Sequence, residues 1–183
     1  MRAVSCYNES NNFIIDCDIN FGSKLPEAFS GGEFNGQIIG NGHKFTNIRA
    51  NQTGEQGGIF YAIGSNAKIT DLTFENVTYT MNTGATKSGN SYGVLAGKIS
   101  SDATFENVEI KDAKLVLNPD MNSDPSVVYS IGLLCGNIVE TGLDISGISC
   151  EVLENEYASC DIIFTVDDDA VGTVTITFIE RQQ

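Results

Sequence analysis

The run Gly93-Val94-Leu95-Ala96-Gly97-Lys98-Ile99 decides the fold, because it occurs three times in altered form. Its counterparts are Gly57-Gly58-Ile59-Phe60-Tyr61-Ala62-Ile63 and Gly132-Leu133-Leu134-Cys135-Gly136-Asn137-Ile138. Each begins with Gly, passes through small or aliphatic residues and ends on Ile. The first glycines stand 36 and then 39 residues apart. Self-similarity at such a period marks a stacked repeat rather than a fold with one unrepeated core.

A second block follows each copy. Ala67-Lys68-Ile69-Thr70-Asp71-Leu72-Thr73-Phe74-Glu75-Asn76-Val77 aligns at an offset of 36 with residues 103–113, so that Ile69 meets Phe105, Leu72 meets Val108 and Phe74 meets Ile110. The pattern returns as Ile145, Ile148 and Cys150, at an offset of 40. A competing register exists. Thr73-Phe74-Glu75-Asn76-Val77 and Thr104-Phe105-Glu106-Asn107-Val108 are identical and lie 31 apart. We adopt 36, because both blocks agree on it.

Within a unit the apolar residues alternate over short runs, as in Ile69, then Leu72, Phe74 and Thr78, which is a strand period with a one-residue jog. Runs this short, broken by Gly, Asn or Ser, suit strands that stack on equivalents ~4.8 Å away. The reading is an all-β fold, a right-handed parallel β-helix with a C-terminal β-hairpin cap. On it, a 36-residue unit makes two coils of about 18 residues each, and the glycines turn the chain with positive φ. No unit buries its own apolar face, so stability is shared along the stack.

The whole chain, residues 1–183, reads as one domain. Residues 1–28 form an N-terminal cap, 29–155 the coils and 156–183 the C-terminal strands. Asp161–Val166 and Thr173–Ile179 flank Asp167-Asp168-Asp169-Ala170-Val171-Gly172 as a hairpin that closes an open sheet end. Residues 81–91 and 117–126 are polar loops at equivalent points of two units, either plain linkers or loops displayed together on one face.

Gly93-Val94-Leu95-Ala96-Gly97 and Gly132-Leu133-Leu134-Cys135-Gly136 resemble the Gly-bounded GLUG-type repeat of bacterial adhesin-like β-helix proteins. Asp18-Ile19, residues 29–36 and the turn Gly40-Asn41-Gly42-His43 are similar to the opening coil of such proteins. The resemblance covers about residues 13–155. It implies a parallel β-helix, usually outside the cell and often a module of a larger adhesin.

Composition bounds the function. Charged residues make up 19% and hydrophobic residues 41%, enough to build a core. No apolar run approaches the ~20 residues of a membrane helix, so no membrane insertion is expected. The net charge is −14, from 24 acidic and 10 basic residues, which repels nucleic acid and anionic lipid and attracts basic surfaces. The five cysteines include no CxxC pair, and there is one histidine, so a zinc site is not expected. Cys17 and Cys135 read as small buried hydrophobes, and free thiols favour a reducing, cytoplasmic location, with the cell surface as the alternative.

No catalytic residues, metal or cofactor are expected. Asp16 and Asp18 share a strand face and read as solvated. His43 reads as a turn histidine bonded to the backbone. Asp167-Asp168-Asp169 lacks the spacing of a calcium loop and reads as a charged hairpin tip. Sequons occur at Asn8, Asn51 and Asn76, as expected by chance in an Asn-, Ser- and Thr-rich chain.

Two functions are consistent with these features. The first is a non-enzymatic acidic protein that covers the basic surface of a nucleic-acid-binding protein, with carboxylates imitating phosphates. By analogy of charge, phage-encoded anti-defence inhibitors, including anti-CRISPR proteins, act this way. Its contact residues would be Asp120, Asp124, Asp167, Asp168 and Asp169, in loops and turns. The second is an adhesin-like surface module that binds a glycan or host protein, with Tyr79, Tyr92 and Tyr129 as contacts unless they pack in the core.

Overall fold

A computed structural model describes residues 10–22, 32–52, 56–81, 90–117, 129–132, 134–138, 143–144, 146–156, 160–166 and 174–180. Among them there is no helix. The strands are β1 (Asn12–Ile14), β2 (Ile19–Asn20), β3 (Glu33–Phe34), β4 (Gln37–Gln52), β5 (Gln56–Gly57), β6 (Phe60–Ile63), β7 (Lys68–Met81) and β8 (Asn90–Gly93). They continue with β9 (Ala96–Ile99), β10 (Thr104–Leu117), β11 (Tyr129–Gly132), β12 (Cys135–Ile138), β13 (Ile148–Glu156), β14 (Cys160–Val166) and β15 (Val174–Glu180).

Three sheets are parallel. A six-stranded sheet runs β1-β4-β7-β10-β13, with β2 also paired to β4; a four-stranded sheet runs β12-β9-β6-β3; a three-stranded sheet runs β11-β8-β5. From β3 to β13 the chain visits the four-stranded, six-stranded and three-stranded sheets in that order, again and again. Neighbouring strands in each sheet are therefore one whole repeat apart. Thr104 pairs with Lys68 and Ile63 with Ile99, both at 36 residues. The 36-residue unit thus adds one strand to each of three sheets. It does not fold as two equivalent turns of about 18, because its two apolar blocks go to different sheets.

The offset of 36 holds through the long strands: Phe105 sits beside Ile69, Val108 beside Leu72 and Ile110 beside Phe74. Ile148 and Cys150 continue the rows next to Val108 and Ile110. The glycine block is shifted by one. Gly57 pairs with Tyr92, which places Gly58 level with Gly93, and Gly132 pairs with Gly93.

These glycines are not needed for positive φ. A Cβ on Gly93 would collide with the Cα of Cys135 and the carbonyls of Ala96 and Leu134, and one on Gly58 with Ala96 and the Gly93 carbonyl. Layers of chain approach one another too closely there for any side chain. Among the described residues, glycine has positive φ only at Gly22 and Gly42, outside this block; the other positive-φ residues are Asn41, Asn47, Asp71, Asn76, Asn107 and Asp112, at 51–57°.

Those residues explain the jogs. In β7 the buried residues include Ile69, Leu72, Phe74, Val77 and Tyr79. Each three-residue step, 69 to 72 and 74 to 77, contains one left-handed residue, Asp71 or Asn76. The bend it makes keeps the apolar side chains on both sides of the corner facing inward. Thr78, expected to continue the inward row, falls out of it, because the second corner resets the alternation.

The inward side chains form one core shared by the four- and six-stranded sheets. Phe13, Phe34, Phe60, Phe74, Phe45 and Phe21 make a continuous chain of ring contacts, with centroids 5.2–6.4 Å apart. The Phe60–Phe74 contact, edge to face at 6.3 Å, carries it from one sheet to the other. Such pairs contribute about 0.5–1.5 kcal/mol each beyond area burial. Outside the parallel sheets, β14 and β15 pair antiparallel from Cys160–Glu180 to Val166–Val174, the expected hairpin.

Candidate functional site

The outer face of the six-stranded sheet between its two corners carries an organised set of polar side chains. It has two in-register rows. One contains Lys44, Thr73 and Glu109, the other Thr46, Glu75 and Lys111. Lys44 Nζ donates to Glu75 Oε2 at 2.8 Å, and Lys111 Nζ lies 2.6 Å from Glu109 Oε2. Thr73 Oγ1 donates to Glu109 Oε2 at 3.4 Å. Before the first corner, Lys68 reaches Glu106 at 3.5 Å. These pairs are solvent-facing, so each contributes little to stability. Their effect on the surface field is larger: the lysines of this face cancel neighbouring carboxylates.

Asparagine side chains run along the corners. Asn47 Nδ2 donates to Asn20 Oδ1 at 3.0 Å, and Asn76 Nδ2 donates to Asn47 Oδ1 at 2.6 Å. At the other corner Asn107 Nδ2 donates to Asp71 Oδ1 at 2.9 Å. The recurring Phe-Glu-Asn-Val of residues 74–77 and 105–108 is now accounted for. Asn76 sits at the second corner of β7 and Asn107 at the first corner of β10. The motif specifies a corner, whichever corner it is, which is why its spacing of 31 conflicts with the stacking register.

Asp18 and His43 meet at the N-terminal side of this face. His43 Nδ1 is 3.1 Å from Asp18 Oδ1, which also accepts the Lys44 backbone N–H at 3.0 Å. That backbone bond, with the histidine second, holds the Asp18 carboxyl below its ordinary range. The histidine thus engages a carboxylate rather than the backbone. Asp16 and Asp18 do not share a strand face, because residues 15–18 link β1 to β2. Among the described residues no group of three or more His, Cys, Asp or Glu is placed to hold a metal ion, and no helix is long and apolar enough to cross a membrane.

Cys135 is buried as expected, and burial pushes its thiol up to about 12. Cys17 is exposed, contrary to the buried role read from its alternating neighbours. The alternation fails because Cys17 lies in a bend between two strands.

Tyr79 and Tyr92 are completely buried, with centroids 6.5 Å apart and planes at 32°. They lie inside, and neither presents a ring to a ligand. The Tyr79 hydroxyl makes no hydrogen bond, and burial drives its pKa far upward. Tyr129 stands in β11 in register with Asn90. Asp120, Asp124, Asp167, Asp168 and Asp169 lie outside the described residues. Their flanks are placed, however. Met81 pairs with Leu117, and Asn90 with Tyr129, so the strand ends that flank 82–89 and 118–128 lie side by side. Residues 167–173 join the paired hairpin ends Val166 and Val174.

A feature of the charge emerges from this topology. Residues 118–183 hold 12 of the 24 acidic residues and one of the 10 basic ones, a net −11 out of −14. The same residues supply β11, β12 and β13, the terminal strands of all three parallel sheets. The net negative charge is therefore concentrated in the C-terminal third of the sequence, with Glu151, Glu154 and Glu156 on β13, whereas residues 1–117, with 12 acidic and nine basic residues, are nearly balanced. No family model, curated protein or solved structure matches this chain.

Proposed function

We propose that the chain is a right-handed parallel β-helix that acts, without catalysis, as an acidic binding protein covering a basic surface on a nucleic-acid-binding partner. The fold reading is supported by three parallel sheets visited in a constant order, with paired strands 29–40 residues apart from β3 to β13. The hairpin β14–β15 serves as its C-terminal cap, shielding strand edges that would otherwise pair with other chains.

The observation that carries the function is the charge distribution. A net −11 in the last 66 residues, the segment that supplies the terminal strands and the hairpin, attracts Lys and Arg over a Debye length and repels nucleic acid. Asp120, Asp124 and Asp167–Asp169 are five of the 12 acidic residues in that segment. A rigid stack suits the role, since it holds carboxylates in place without an ordering cost on binding. Inhibition of an anti-defence kind, as by anti-CRISPR proteins, and a cytoplasmic site of action fit this chemistry. The alternative, an adhesin-like surface module, has less support, because burial removes Tyr79 and Tyr92 from its contact set.

The test is a pull-down from bacterial lysate with washes of rising salt. A retained basic nucleic-acid-binding protein that is shed as salt rises supports the reading. Retention of partners indifferent to salt, or of none, defeats it.

A further inference from the structure

A second site lies on the outer face of the four-stranded sheet, across β3, β6 and β9. It is a groove of about 320 Å³ whose polar lining comes from Glu33, Tyr61, Ser65, Lys98 and Ser100 over a floor that includes Ala62. Its geometry is set by register. Glu33 pairs with Ala62, and Ala62 with Lys98. A carboxylate and an ammonium thus flank one alanine, with their backbones two strand spacings apart, about 9.6 Å. The methyl of Ala62 is too short to fill the interval.

Neither charge is satisfied by the other. Lys44, Lys68 and Lys111 each reach a carboxylate. Lys98 reaches none among the described residues, in a chain with more than twice as many acids as bases. Glu33 is held in place by a neighbour: Asn35 Nδ2 donates to its Oε1 at 2.9 Å. Both side chains rest against Gly64, where a Cβ would strike Asn35 Oδ1 and Glu33 Oε1. The Gly64 N–H donates to the Phe34 carbonyl at 2.8 Å, which ties this floor to β3. The carboxylate is therefore positioned on the lining of the groove.

We propose that this groove binds a small zwitterion of amino-acid or dipeptide size, its carboxylate toward Lys98 and its ammonium toward Glu33. Ser65, Ser100 and Tyr61 supply hydroxyls along its length. An anion would gain Lys98 but oppose Glu33 and the whole-chain field, and a cation would meet the reverse local penalty. A ligand with both charges and no net charge satisfies both walls and avoids the long-range repulsion. This inference is independent of the acidic-end reading.

The probe is glycylglycine, titrated to millimolar concentration into the isotope-labelled full chain, with backbone amide shifts as the readout. The expected result is saturable shifts at Gly64, Ser65 and Ser100. N-acetylglycylglycine, without the ammonium, and glycylglycinamide, without the carboxylate, each bind about tenfold more weakly, as expected for losing one charge-assisted contact. Glu33→Gln, which keeps an acceptor for Asn35, and Lys98→Met reproduce those losses while leaving distant amides unmoved. Absence of saturable shifts with glycylglycine, equal binding of the capped peptides, or undiminished binding to both variants overturns the proposal.

Discussion

Asn76 holds a backbone φ of 54° at a corner and passes its side-chain amide to Asn47 one layer away. Two costs attach to its loss. A residue with a Cβ and no local hydrogen bond loses about 1–2 kcal/mol in left-handed backbone, and each lost hydrogen bond costs about 0.5–1.5 kcal/mol. Asn76→Ala is expected to lower unfolding free energy by about 1–3 kcal/mol. Asn76→Gly relieves the backbone but not the ladder, and falls between Ala and wild type in denaturant titrations. Equal stability of all three would remove the ladder and the corner strain from the account.

Asp18 gives a pH dependence of known sign. Its folded carboxyl is lowered, first by the Lys44 backbone N–H and then by His43. The stabilisation is present above the ordinary carboxylate range, near 4, and is lost as pH falls through the lowered folded value. Asp18→Asn therefore flattens the acid limb of the stability curve. A steeper acid limb in the variant contradicts the assignment. Little of this residue-scale detail is legible in the sequence. Asn and Asp serve turns, caps and solvated faces alike, so abundance alone cannot say which of them bend a strand. Burial of Tyr79 and Tyr92 is equally hidden, because both stand in Thr-, Asn- and Ser-rich runs that read as surface.

At the scale of elements, β7 occupies the middle of the six-stranded sheet, paired through most of its length to β4 on one side and β10 on the other. Its buried column Ile69, Leu72, Phe74 and Val77 lies within the shared core. Hydrogen exchange should be slowest in β7 and adjacent β10, and fastest in β1 and β2, which are three and two residues long and pair on one side only. Uniform protection across the sheet would argue against stacking-driven stability.

Register is the most legible property at this scale. Parallel partners are equivalent residues of successive repeats, so the spacing of 36 in the sequence is the spacing of 36 in the sheet. The number of sheets is not legible. Two apolar blocks per repeat look like two copies of one strand type, and nothing in their composition says that they enter different sheets with a third strand, β5, β8 or β11, in each repeat. That third strand is short and polar, as in Asn90–Gly93, and resembles a loop.

For the whole molecule, charge and topology act together. Fourteen excess negative charges spread evenly would aid solubility and little else. On the proposed reading, their concentration in residues 118–183 gives an uneven field, able to raise association rates with a basic partner and to fade with salt. Both the total and its bias toward residues 118–183 are visible in the sequence.

The most direct test compares two charge variants of equal size in binding to the partner retained at low salt. One replaces Asp120, Asp124, Asp167, Asp168 and Asp169 by Asn. The other replaces Asp71, Glu75, Glu106, Glu109 and Asp112, on the balanced layers, by Asn or Gln. The account predicts that the first variant loses most of its affinity and of its salt dependence, whereas the second retains both. Equal losses in the two would mean that net charge alone matters. Binding undiminished in the first would contradict the acidic end as the working surface of this protein.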